Sequence, residues 1–316
     1  MNNRNGASAR RLFDGSVTRE RGGADRHQAM PSSPARTIGD DSPADAYVDR
    51  GFLYLEQENP EAALICFNRV IELEPNNPEG YNNAGYVHEM TDRLSSALYM
   101  YQKALALDEK NVEALVNIAH IRDLEGDYYG ALEHYRTAIA VEPDNINAHF
   151  CLGVLYDRHD MFDEAIRQYR QVLDRDPIHR KAIFNLGNLS IQTGNYDSAL
   201  KLFNLLLKQD PDNAEAWNNI GSLYEELGNL DSALHAWQQC LKLDPLQVKA
   251  NLNLARIQDS LWKSTGNGSR KQEIINRLKF VLALDPLNVQ AKNLLARVEG
   301  REPDSSPSAP IAFHPN

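Results

Sequence analysis

The sequence predicts an all-α protein built as an array of stacked helix pairs, and three observations carry that prediction. Prolines fall at Pro143, Pro177, Pro211 and Pro245, each 34 residues after the last, and Pro75 lies two periods before Pro143. A fixed period of that length marks copies of one small unit, not a single globular core. Within each period, apolar residues recur at three and four, as Ala233, Trp237 and Cys240 do, which is one face of an amphipathic helix. Turn residues also punctuate the periods. Gly126, Gly194 and Gly228 suit the left-handed residue that ends a first helix. The pairs Asp176-Pro177, Asp210-Pro211 and Asp244-Pro245 stop a second helix, because proline cannot continue one.

Taken in order, the copies span 44–77, 78–111, 112–145, 146–179, 180–213 and 214–247. The first has Gly51, Tyr54, Ala63, Phe67 and Pro75, with Asn59-Pro60 as an N-cap followed by proline at the first helical position. The second keeps Gly85, Ala97 and Tyr101; the third keeps Ala119, Gly126, Ala131, Tyr135 and Pro143. The fourth has His149, Leu152-Gly153, Tyr156, Ala165, Tyr169 and Pro177. The fifth has Leu186-Gly187, Gly194, Tyr196, Ala199, Phe203 and Pro211. The sixth has Trp217, Ile220-Gly221, Tyr224, Gly228, Ala233, Trp237 and Pro245. Gly221 and Ala233 read as small because two helix backbones approach there. A seventh copy, 248–288, keeps Leu254 and Ala255 and reaches Pro286, 41 residues after Pro245. Its seven extra residues fall near 264–270 and read as a longer turn. An amphipathic segment over 289–299 caps the open end. Residues 1–43 and 300–316 lack apolar periodicity and read as disordered tails.

This skeleton of an aromatic, Leu-Gly, Tyr, Ala, an aromatic and Pro resembles the tetratricopeptide repeat. The resemblance implies a right-handed α–α solenoid of seven repeats plus a C-terminal capping helix. It also implies that the first helix of each repeat lines a concave groove through its second, fifth, sixth, ninth, twelfth and thirteenth positions, and that this groove binds protein.

The sixth position reads Asp49, Asn83, Asn117, Cys151, Asn185, Asn219 and Asn253. Asparagine is a mediocre helix former, so propensity does not explain its return. A side-chain amide offers donors and an acceptor, as needed to hold the peptide groups of an extended chain without reading its side chains. The row is similar to the asparagine ladder in the repeat domain of the O-linked N-acetylglucosamine transferases. Two other readings stand beside it: the amides bond a neighbouring helix, or descend from one ancestral repeat. The ninth position, with Phe52, Tyr86, His120, Val154, Asn188, Ser222 and Arg256, makes the amino-terminal half more aromatic. The twelfth and thirteenth give Glu56, Glu89, Asp123, Asp157, Glu225, Glu226 and Asp259 against a lone Arg158. The rim therefore reads as acidic throughout and suited to a neutral or basic segment. The carboxylate clamp of chaperone-docking members is not matched: its best window, Phe184, Asn188, Asn219, Lys249 and Asn253, fits at three of five places.

Composition excludes other classes. Net charge is −11; the first 43 residues hold 7 basic and 5 acidic residues and the last seventeen hold 1 and 2, which leaves the array at −12. Phosphate repulsion then argues against nucleic acid as partner. No apolar run approaches the length that spans a membrane. Three cysteines, Cys66, Cys151 and Cys240, are too few for a disulfide framework or a zinc site, which fits a reduced cytoplasm. Cys151 faces the groove and is the one candidate for a reactive thiol. Arg4, Arg10 and Arg11 without a preceding acid are compatible with a transit peptide, but a plain tail fits better. Arg10-Arg-Leu-Phe looks like a short cyclin-docking motif, and Asn188-Leu-Ser and Asn267-Gly-Ser are chance glycosylation patterns. His88, His120 and His149 lie about a repeat apart, too far to share a metal. No Gly-x-Ser-x-Gly, His-Glu-x-x-His or phosphate loop is present. The chain reads as non-catalytic, with no cofactor. It is an interaction scaffold, or else a complex subunit using its outer face or tails, or the targeting accessory of a separate enzyme.

Overall fold

The structure, a computed structural model, describes residues 42–265 and 268–301, without side chains between 264 and 270. The readings made for the tails, their arginine-rich start and the Arg10 motif lie outside the described residues. Among those residues fifteen α-helices and no strands occur. The helices are α1 (Pro43–Glu56), α2 (Pro60–Leu73), α3 (Pro78–Met90), α4 (Leu94–Leu107), α5 (Val112–Leu124), α6 (Tyr128–Val141), α7 (Ile146–Arg158) and α8 (Phe162–Arg175). They continue as α9 (Arg180–Gln192), α10 (Tyr196–Gln209), α11 (Ala214–Glu226), α12 (Leu230–Leu243), α13 (Val248–Thr265), α14 (Gly268–Leu284) and α15 (Val289–Glu299).

The chain forms two compact units that divide inside α9, at residues 182 and 183. In the first unit consecutive helices pack as pairs, and each pair packs on the next. Its core runs through Leu55, Phe67 and Val87, then Tyr101, Ile118 and Ile121. In the second unit α11 and α12 close over Trp237 and Cys240. The last three helices share Leu252, Ile274, Leu278, Val281, Leu294 and Val298. Each fully buried aromatic of this kind contributes roughly 2–3 kcal/mol of apolar transfer.

Local sequence explains where helices begin. Asn77, Asn111, Asn145 and Asn213 stand one period or two apart, and each side chain accepts from a backbone N–H of the helix that follows. Asn59, Asp127, Asn195 and Asn229 do the same for second helices. Each cap is worth about 1 kcal/mol. At the missing place in the first series stands His179, whose Nδ1 accepts the Ala182 N–H at 3.1 Å.

In the first six pairs the turn uses one left-handed residue at the same register. Gly126, Gly194 and Gly228 have φ of +81°, +75° and +74°, but Glu58, Asp92 and Asp160 hold +54°, +61° and +57° without glycine's freedom. Gly221 is small for a different reason from the one the sequence suggested. A Cβ there meets the Trp237 ring at 2.5 Å, so the glycine admits an aromatic side chain of its partner helix, not a backbone. Gly85 against Tyr101 and Gly187 against Phe203 repeat the arrangement, always sixteen residues apart. The seven extra residues of the seventh copy are not one long turn. They lengthen α13 to 18 residues and α14 to 17, against 13 and 14 in the pair before.

A further fastening recurs between loops and first helices. Tyr81 Oη donates to the Pro75 carbonyl at 3.1 Å and Trp217 Nε1 to that of Pro211 at 3.0 Å. His149 Nε2 bonds the Pro143 carbonyl at 2.9 Å, and Asn251 Nδ2 that of Pro245 at 3.0 Å. The fourth position of the repeat thus satisfies a carbonyl that the helix end leaves open.

Candidate functional site

The sixth-position asparagines divide into two sets. In the first unit Asn83 and Asn117 are buried, with 1% and 8% of their surface exposed. Asn117 Nδ2 donates to Asn82 Oδ1 at 3.2 Å, and Asn82 donates onward to Glu113 Oε2 at 2.9 Å. Asn83 Nδ2 has no partner in its buried setting. These two amides act inside the wall of the array. In the second unit Asn185, Asn219 and Asn253 are half-buried and keep a face toward solvent. Asn219 Nδ2 donates to Asn188 Oδ1 at 2.9 Å, thirty-one residues back on the preceding first helix. Its Oδ1 accepts from Asn218 at 3.4 Å, and Asn253 Oδ1 accepts from Arg256 at 3.4 Å. One Nδ2 hydrogen of Asn219 thus braces two repeats.

The rim is less acidic than its composition suggests. Glu89 accepts from Tyr101 Oη at 2.8 Å and faces His120 Nδ1 at 2.8 Å. Asp123 is paired with Arg158 and Glu225 with Arg256. Asp259, 1% exposed, takes Lys263 at 2.9 Å and Arg297 at 2.7 Å. Burial raises the Glu225 carboxyl, with Arg256 opposing that shift. Asp157 is also engaged. The reading of an acidic rim against a lone Arg158 is thus corrected: an acid at the twelfth position meets His120, Arg256 or Arg297 at the ninth position of the following first helix. A spacing of 31 residues between acid and base carries that signal for the first two pairs, and the extra seven residues stretch it for the third.

Tyr86 is buried, with 4% of its surface exposed, and burial raises its hydroxyl's pKa. The aromatic ninth position is therefore part of the first unit's wall. Cys151 is half-buried, its Sγ 3.5 Å from Asn147 Oδ1. Burial pushes its thiol up to about 12, which disfavours the thiolate at neutral pH. Among the described residues no group of three His, Cys, Asp or Glu converges to hold a metal ion. No helix there is long and apolar enough to cross a membrane.

Comparison with known proteins agrees with this fold. Family models described as tetratricopeptide repeat match residues 44–77, 158–221 and 214–245, and one described as TPR repeat matches 124–159. No curated protein matches the chain. Among solved structures, the chain is similar to PilF of Pseudomonas aeruginosa, with 20% identity, TM-score 0.61, and coverage of 67% of this chain and 97% of that one. A tetratricopeptide repeat protein from Parabacteroides merdae is 20% identical, with TM-score 0.54 and coverage of 81% and 98%. YrrB, described as a TPR protein with an unusual peptide-binding site, is 23% identical, with TM-score 0.50 and coverage of 58% and 95%. At these identities the likeness is one of fold.

Proposed function

This chain is a tetratricopeptide-repeat protein, and from that premise we propose a non-catalytic interaction scaffold that holds an extended segment of another protein along its first helices. The observation that carries the reading is the row Asn185, Asn219 and Asn253, three half-exposed amides one period apart on α9, α11 and α13. Amides at that spacing recognise peptide groups and not side chains, which suits a scaffold tolerant of sequence. A neutral segment fits the first unit, where Glu89 faces His120 and Asp123 is paired with Arg158. Buried Asn83, Asn117 and Tyr86 support that wall from behind. The free cysteines Cys66, Cys151 and Cys240 fit a reduced, cytoplasmic setting.

The test uses an extended peptide selected by display against the full chain. Changing Asn185, Asn219 and Asn253 together to Ala removes three net hydrogen bonds of roughly 0.5–1.5 kcal/mol each. Binding weakens by about 2–4 kcal/mol, allowing for non-additivity between neighbours. Unchanged binding with a much lower melting temperature shows instead that the amides only brace the repeats. A second reading, docking through second helices, is favoured by Ile65, Tyr99 and Tyr129, which are 71%, 55% and 80% exposed.

A further inference from the structure

The last first-helix pair differs in charge from the rest of the array. Between α13 and α15 lies a concavity of about 570 Å³, within the roughly 300–1,000 Å³ of ordinary ligand pockets. Leu252 and Leu294 give it an apolar floor, and Arg256, Arg297 and Arg301 line it, with no acid among the described lining residues. Each arginine is tied to a carboxylate, but the geometry is asymmetric. The acids are withdrawn: Glu225, Asp259 and Glu299 side chains are 18%, 1% and 14% exposed. The arginines project: their side chains are 32%, 55% and 72% exposed. In each of these pairs the carboxylate meets one terminal nitrogen, Nη2, and a guanidinium has five N–H donors in a planar fork. The buried acids therefore orient the forks without exhausting them. Gln290 and Asn293 add amides at the same wall, suited to the peptide groups of a bound segment.

We infer that this end of the groove receives a carboxylate side chain next to an apolar one on a partner's segment. The inference rests on the groove reading above and refines it: the α13–α15 end takes the acidic part of the ligand, although the chain as a whole carries −11. Charge complementarity selects this occupant. Three forks around an apolar floor leave a basic or purely polar side chain without compensation, whereas a carboxylate gains paired, bidentate hydrogen bonds. The apolar neighbour rests at the small edge that Leu252 and Leu294 leave at the surface of the core, 8% and 6% exposed.

The experiment measures fluorescence anisotropy of two labelled peptides on the full chain. One carries a Glu-Leu-Glu-Phe core and the other Gln-Leu-Gln-Phe. The acidic peptide binds about tenfold tighter at low salt, the scale of hydrogen bonds to a charged group, and the preference shrinks as salt rises. Arg301→Gln, at an exposed site, and Arg297→Lys, which keeps the charge beside Asp259 but removes the fork, each cut that preference severalfold. Arg301→Gln leaves the melting temperature unchanged. Equal affinity for both peptides overturns the inference, as does a preference that survives both substitutions. Binding seen only after deletion of 302–316 also overturns it, by making that segment the occupant. So does a dimer that the acidic peptide dissolves, by making a second copy the occupant. Loss of binding in the triple asparagine variant with the acidic preference retained sinks the amide reading and leaves this one standing. The reverse result sinks only this one.

Discussion

His179 occupies the place where neighbouring repeats carry a capping asparagine, and it makes the cap titratable. Its ring lies 5.2 Å from Phe150, and burial lowers its pKa below the usual 6.5, with Asp176 opposing. Neutral Nδ1 accepts the Ala182 N–H; protonated, it cannot. Above pH 6.5 folded and unfolded states are both neutral and the cap is intact. As pH falls toward the folded-state value, the unfolded chain binds the proton first, so stability drops. His179→Asn is expected to leave urea stability at pH 8 nearly unchanged and to raise it by about 1 kcal/mol at pH 5.5. An equal gain at both pH values refutes the titratable cap. Glu58 presents a different local conflict, with φ +54° and no glycine. Glu58→Gly should add roughly 0.5–1 kcal/mol by relieving left-handed strain. Gly228→Ala, where an added Cβ meets nothing within 4 Å, should lose about 1 kcal/mol through conformation alone. Thermal melts of the two variants check both signs.

Between elements, Asn117 and Asn219 join neighbouring repeats. The Asn188–Asn219 bond predicts a coupling of roughly 0.5–1.5 kcal/mol in a double-mutant cycle for urea unfolding, whereas independent groove residues give none. Gly221→Ala should cost about 1–3 kcal/mol, because the new methyl overlaps the Trp237 ring. These contacts are long-range, and long-range partners leave no local signal in the sequence. The 34-residue period located the helices because proline, glycine and apolar spacing are local signals. The reason for Gly221 was missed because its partner, Trp237, sits on another helix, and spacing alone does not distinguish a ring from a backbone. The burial of Asn83 and Asn117 was missed because a sixth-position amide faces whatever side chain lies 31 or 35 residues upstream. The pairing of Glu225 with Arg256 was in principle readable at that same separation, but scanning one repeat position at a time separates the partners.

For the whole molecule, the proposed function makes the first helices the working surface and the second helices the support. Formal charge alone predicts a uniformly acidic surface, yet ion pairing neutralises much of the rim and exposes arginines at the α13–α15 end. The most direct measurement places a photo-crosslinking side chain at Ser222, the ninth position of α11, and separately at exposed Leu205 on α10, using the display-selected segment as ligand. The account predicts strong crosslinking from Ser222 and little from Leu205. Crosslinking from Leu205 with none from Ser222 contradicts it and moves the binding surface to the second helices.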